Sequence, residues 1–101
     1  MIDKVKSQLA SNLLDKISQR NEQRKIMDKF SHFDYNIYPN GEDTFTSALV
    51  EKKRLSAVID SVIATYKKYY PDVKIHIIWD NFENKDIAVK IDGTMYYVEG
   101  N

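Results

Sequence analysis

The chain is 101 residues long, 43% hydrophobic and 12% aromatic, and its fifteen basic and fifteen acidic side chains cancel to a net charge of zero. This length and apolar content suit one compact domain over 1–101, burying roughly two thirds of the surface its unfolded chain exposes, and argue against a disordered segment. The charges are interspersed, which argues against both the one-sided basic surface of a dedicated nucleic-acid binder and the acidic excess of a nucleic-acid mimic.

Residues 1–31 read as helical. Ile2, Val5, Leu9, Leu13 and Ile17 recur at spacings of three and four and form one apolar stripe, with Asp3 in the first turn where its charge suits the helix dipole. From Ser18 to Lys25 every residue is polar, and the stripe resumes only at Ile26, Met27 and Phe30. That polar run predicts a break near 18–22, with Asn21 capping a second short helix. The apolar stripe has two uses: it packs on the domain's own sheet, or it mediates a homodimer through the N-terminal helix.

A strand or hairpin is expected over 33–50. Phe33-Asp34-Tyr35-Asn36-Ile37-Tyr38 alternates as a strand, Pro39-Asn40-Gly41 turns, and 44–50 returns as a second strand with Phe45 and Leu49 inward. The competing reading makes 44–50 the opening of the next helix, capped by Thr44 or Thr46. A helix over about 53–70 follows, because Leu55, Ile59, Val62, Ile63 and Tyr66 share a face and Pro71 stops it at Tyr70.

The last segment, 73–99, is expected to be a three-stranded antiparallel meander packed on that helix, making the fold α+β. Val73, Ile75, Ile77 and Trp79 share a strand face, Asn81–Asp86 forms a polar loop, and Ile87–Ile91 begins the next strand. Asp92-Gly93 is a two-residue type I′ turn, which sets the register Ile91 to Thr94, Val89 to Tyr96 and Ile87 to Val98. The inner face is then Ile87, Val89, Ile91, Tyr96 and Val98; Ala88, Lys90, Met95 and Tyr97 lie on the outer face.

No catalytic, cofactor-binding or metal-binding set emerges. There is no cysteine, which removes disulfides, thiolate metal sites and cysteine nucleophiles. His32 and His76 are far apart in sequence and read as structural or surface residues. The string Pro71-Asp72 with Glu83-Asn84-Lys85 matches the written pattern of the PD-(D/E)xK nucleases, whose carboxylates hold Mg²⁺ and whose lysine polarises water. Here the triplet falls in the polar loop rather than a strand, so it is read as a chance match. The Lys52-Lys53-Arg54 run reads as a solvated helix end. The N-terminal residues lack the apolar run of a secretory leader, and no stretch approaches the ~18 apolar residues of a membrane span, so the expected location is cytoplasmic.

Seven tyrosines, four phenylalanines and one tryptophan are the most informative excess. Where the outer sheet face is not covered by the N-terminal helix, Tyr38, Ile78, Met95 and Tyr97 form an apolar patch beside Lys90. Tyrosine and methionine favour protein interfaces. The resulting expectation is a non-enzymatic protein-binding module acting on another protein as an inhibitor, adaptor or accessory factor. Such a factor is expected to be of phage or mobile-element origin; lysine outnumbers arginine twelve to three, as AT-rich coding in a bacterium or one of its phages produces. The alternatives are single-stranded nucleic-acid binding on the same aromatics with Lys74 and Lys90, then a divergent metal-dependent nuclease.

Overall fold

A computed structural model of the protein describes residues 1–31 and 41–98. Two long helices, α1 (Asp3–Phe30) and α2 (Gly41–Tyr69), precede three strands, β1 (Ile75–Asp80), β2 (Lys85–Ile91) and β3 (Thr94–Tyr97). The strands form an antiparallel sheet in the order β1-β2-β3, so the α+β class and the meander both hold.

Helix α1 occupies the centre, packed along α2 on one side and against β2 and β3 on another. Its Leu9, Leu13 and Ile17 are fully buried and share one cluster with Ile59 of α2 and with Val73, Val89, Ile91 and Val98 of the sheet region. Val62, Ile63 and Tyr66 of α2 pack against that cluster. The sheet therefore rests chiefly on α1, and the α2 stripe reaches it from behind. Ile2, placed in the stripe by its spacing, is 68% exposed, and Met1 packs against the core instead.

The predicted break near 18–22 is absent, and α1 runs unbroken through the polar segment. The spacing explains why. The buried positions 9, 13 and 17 continue at 20 and 24, so Arg20 and Arg24 occupy the inward face where an apolar stripe would run. Both guanidiniums converge on one carboxylate oxygen of Asp86, at 2.9 Å from Arg20 and 2.6 Å from Arg24. Arg20 also donates to the Ser56 hydroxyl of α2 at 3.2 Å, which ties both helices to the sheet. The Asn21 side-chain amide donates to the Asp86 carbonyl (2.7 Å) and accepts from the Asp86 N–H (3.0 Å). β3 ends opposite Ala88, so at Asp86 the Asn21 amide stands in for the missing strand neighbour.

A β-bulge aims Asp86 at these partners. The β1–β2 register shifts between Ile78 and Trp79, so Ala88 opposes Ile78 while Asp86 opposes Trp79. One extra residue inverts the alternation of faces. Without it Asp86 would point out with Ala88; with it, Asp86 faces α1 and is buried. Trp79 shares that face, with the Arg24 guanidinium 4.8 Å from its ring centre. Ile87, expected in the core, sits at the bulge and is half-buried. β2 also starts earlier than expected, at Lys85, because the Asp86 contacts extend the ladder into the predicted loop.

The predicted hairpin over 33–50 needs correction where it is described, since residues 41–50 are helix and α2 starts at 41 rather than 53. Gly41 is tolerated at a helix start, and Asp43 suits the positive end of the dipole. Phe45, Ala48, Lys52, Leu55, Ile59, Val62 and Tyr66 then alternate at spacings of three and four along one face. Lys52 obscures that repeat in the sequence, although its half-buried stem can cover apolar surface. The expected strand 33–38 lies outside the described residues. The C-terminal end of α2 falls at Tyr69, within a residue of the expectation, and the Tyr70 N–H still bonds to the Tyr66 carbonyl at 2.8 Å before Pro71. Asp92 (φ 48°) and Gly93 (φ 87°) both adopt positive φ, as a type I′ turn requires, and the β2–β3 register is the expected one.

Two predictions follow from this packing. Asp86→Ala leaves the buried Arg20 and the half-buried Arg24 guanidiniums facing each other without a counter-ion, and urea unfolding should show a loss of about 3 kcal/mol or more; a loss below about 1 kcal/mol would show the cluster to be dispensable. Leu13→Lys puts an unpaired charge at a fully buried position between helix and sheet. Its thermal midpoint should collapse, and an unchanged midpoint would mean that α1 does not cover the sheet.

Candidate functional site

The outer face of the sheet follows from strand alternation. Opposed residues in an antiparallel pair point to the same side. The register places His76, Lys90 and Met95 in one row across the three strands, and Ile78, Ala88 and Tyr97 in the next. These rows lie opposite Ile75, Ile77, Val89, Ile91 and Tyr96, which face α1. Among the described residues, α1 and α2 both lie on the inner side, so neither helix covers the outer rows.

Four of the five residues expected to bind a partner are therefore brought together. Lys90 is exposed and directly opposite Met95, which is half-buried. Tyr97 is 62% exposed, and across the buried Ala88 stands the half-buried Ile78. Small Ala88 lets the two larger neighbours close over it, giving a continuous apolar strip with a tyrosine at its edge. Tyr38, the fifth, lies outside the described residues. The charges beside the strip are mixed: Lys74, His76 and Lys90 share a shallow depression with Asp72 and Asp92.

The most exposed aromatic among the described residues escaped the sequence reading. Phe82 is 97% exposed on the Asn81–Asn84 turn joining β1 to β2. The Asp80 carboxylate accepts from the Phe82 N–H at 2.9 Å and from the Glu83 N–H at 3.4 Å, and Asn84 closes the turn at φ 56°. The ring is thus presented on a hydrogen-bonded turn. A lone phenylalanine within an otherwise polar loop was the available signal.

The nuclease-like string is separated by the fold. Asp72 lies at the Asp92–Gly93 end of the sheet, while Glu83 and Lys85 lie at the opposite end, with the length of β1 between them, about 20 Å. Lys85 pairs with Glu83 at 3.1 Å. Of the Lys52-Lys53-Arg54 run, Arg54 grips Glu51 one turn earlier with two nitrogens. That hydrogen bonding holds the Glu51 carboxyl below the usual range and the Arg54 guanidinium above its own. His76 is exposed in the outer row, and His32 lies outside the described residues. Among the described residues no three acidic or histidine side chains converge as a metal site would need.

Compared with protein-family models, curated proteins and solved structures, the chain matches none.

The two faces of the sheet should separate in mutants. Val89 is fully buried, so Val89→Ala removes core methyl groups and should cost about 2 kcal/mol in urea unfolding. Tyr97→Ala on the open face should change stability by no more than about 0.5 kcal/mol. Equal losses at the two positions would mean that the outer face is packed against something.

Proposed function

We propose that this protein is a small, non-enzymatic protein-binding module, an inhibitor, adaptor or accessory factor, that engages another protein through the outer face of its sheet. The supporting observation is the strip of Ile78, Met95 and the 62%-exposed Tyr97 beside Lys90, on a face with no described helix over it. A tyrosine held on a rigid sheet loses little entropy on binding, and a methionine adapts its shape to the partner; both recur at interfaces. The phenylalanine on the β1–β2 turn offers a further apolar contact at one end of the sheet.

Binding to single-stranded nucleic acid would use the same aromatics with Lys74 and Lys90. The charges around them favour a protein. Asp72 and Asp92 sit among Lys74, His76 and Lys90, so a phosphate backbone tracking across this end would meet carboxylates as well as ammonium groups.

The test compares wild type with Tyr97→Ala as bait in a nuclease-treated lysate of the native host, read by mass spectrometry and followed by titration of the captured protein. Tyr97→Ala should weaken binding by more than about thirtyfold, the loss of roughly 2 kcal/mol typical of a central aromatic. Affinity should change little between about 50 and 200 mM salt. Tight binding of an oligothymidylate probe that falls steeply over that range would instead assign the face to nucleic acid. Normal binding by Tyr97→Ala would remove the face from consideration.

A further inference from the structure

Among the described residues β3 is an edge strand, and its sequence does nothing to block that edge. The Val98 N–H bonds to the Ile87 carbonyl at 2.9 Å. Bonded and non-bonded pairs alternate along an antiparallel ladder. Counting back, Tyr96 and Thr94 bond to β2, and the N–H and C=O of Met95 and Tyr97 point away from it. Among the described residues no hydrogen bond reaches these groups. Proteins usually blunt such an edge with a lysine, a proline or a covering element. Thr94-Met95-Tyr96-Tyr97 has no charge and no proline.

Beside the edge lies a groove of about 460 Å³ between α1 and β3, lined by Ser7, Ala10, Ser11 and Leu14 with Tyr96 and Tyr97. The α1 side of this groove is the neighbouring face to the buried Leu9, Leu13 and Ile17, which are consumed by the core. Small side chains there leave room for another helix to approach closely.

We infer that the occupant is a second copy of this chain, paired about a two-fold axis with β3 against β3 and α1 against α1, so that two sheets join into one of six strands. The edge is self-complementary. An antiparallel pairing centred on Tyr96 sets Met95 of each copy opposite Tyr97 of the other, and each such pair exchanges two hydrogen bonds. The charges agree with the same axis. Lys6 Nζ reaches the Thr94 hydroxyl at 3.2 Å, so the level of Tyr96, two residues on, falls near Ala10 on α1. Around that point Lys4 and Asp15, both exposed and on one face of the helix, are nearly equidistant. Antiparallel helices therefore bring Lys4 of each copy to Asp15 of the other. A parallel arrangement would set like against like. The contact uses backbone edge groups and α1, and it leaves the outer face open to a partner, so either can exist without the other.

Light scattering and sedimentation of the full chain over a dilution series test this. The mass should be twice the 11.8 kDa of one chain and should fall to one chain on dilution. Ser11→Glu, at an exposed helix position, crowds the axis and should give a single chain throughout with unchanged circular dichroism. Met95→Pro removes an N–H that β2 does not use and should do the same. Lys4→Glu should raise the dimer Kd by about three- to tenfold, and adding Asp15→Lys should restore it, since two exposed pairs contribute modestly but set orientation. A wild type of one chain at every concentration overturns the inference, as does any other stoichiometry. So does a dimer untouched by both Ser11→Glu and Met95→Pro, because it would use another surface. Loss of partner capture by Tyr97→Ala with the dimer intact would bear on the partner face alone.

Discussion

The carboxylate of Asp86 sits out of water between Arg20 and Arg24, with its backbone held by Asn21, and the placing of α1 against α2 and the sheet depends on it. A carboxylate placed there alone would cost several kcal/mol. The two guanidiniums offset that cost, and the Ser56 hydroxyl on α2 accepts a further hydrogen bond from Arg20. Three elements distant in sequence are thereby fixed at one point: α1 near its middle, α2 at Ser56, and β2 at its start. One buried nitrogen, Arg20 Nε, has no acceptor. The cluster also holds two cations against one anion. Such a polar centre specifies one arrangement of helix and sheet more than it adds net stability, since an apolar slide of α1 along the sheet would leave the charges unmatched.

That constraint explains the lengths of the elements. α1 could not end at Ser18, where its apolar stripe ends, because the residues that anchor the sheet come after it. The bulge at Ile87 is the complementary device on the sheet: it gives up one inward apolar position to turn a carboxylate towards the helix. Trp79 then packs under Arg24, so a residue that reads as plain core supports the charge cluster instead.

Placing α1 in the middle also decides which surfaces remain. A helix sandwiched between α2 and the sheet can cover only one sheet face, so among the described residues no helix lies over the rows of His76–Met95 and Ile78–Tyr97. The molecule is drawn out to 55 × 25 × 18 Å, with a radius of gyration of 15.9 Å against the roughly 13 Å of a compact chain this size. An elongated shape leaves more edge and face per residue than a compact one.

The sequence by itself determined the features whose causes are local. The Asp92-Gly93 turn needs two residues that accept positive φ, so it fixed the hairpin register and with it which of Met95, Tyr96, Tyr97 and Val98 face inward. Pro71 fixed the end of α2, and the 55–66 stripe its face. The features misread were those in which distant residues override local preference. Ser18–Lys25 looks like a break because the partner of its arginines lies more than sixty residues away. Thr44-Phe45-Thr46 looks like a strand because β-branched and aromatic neighbours prefer one, whereas its place in a seven-residue repeat along α1 prevails. Only the tertiary structure decided the inversion of Asp86 and which face of the sheet α1 covers. Both depend on where α1 lies between the other layers, and a periodic stripe says that a helix face is buried without saying against what.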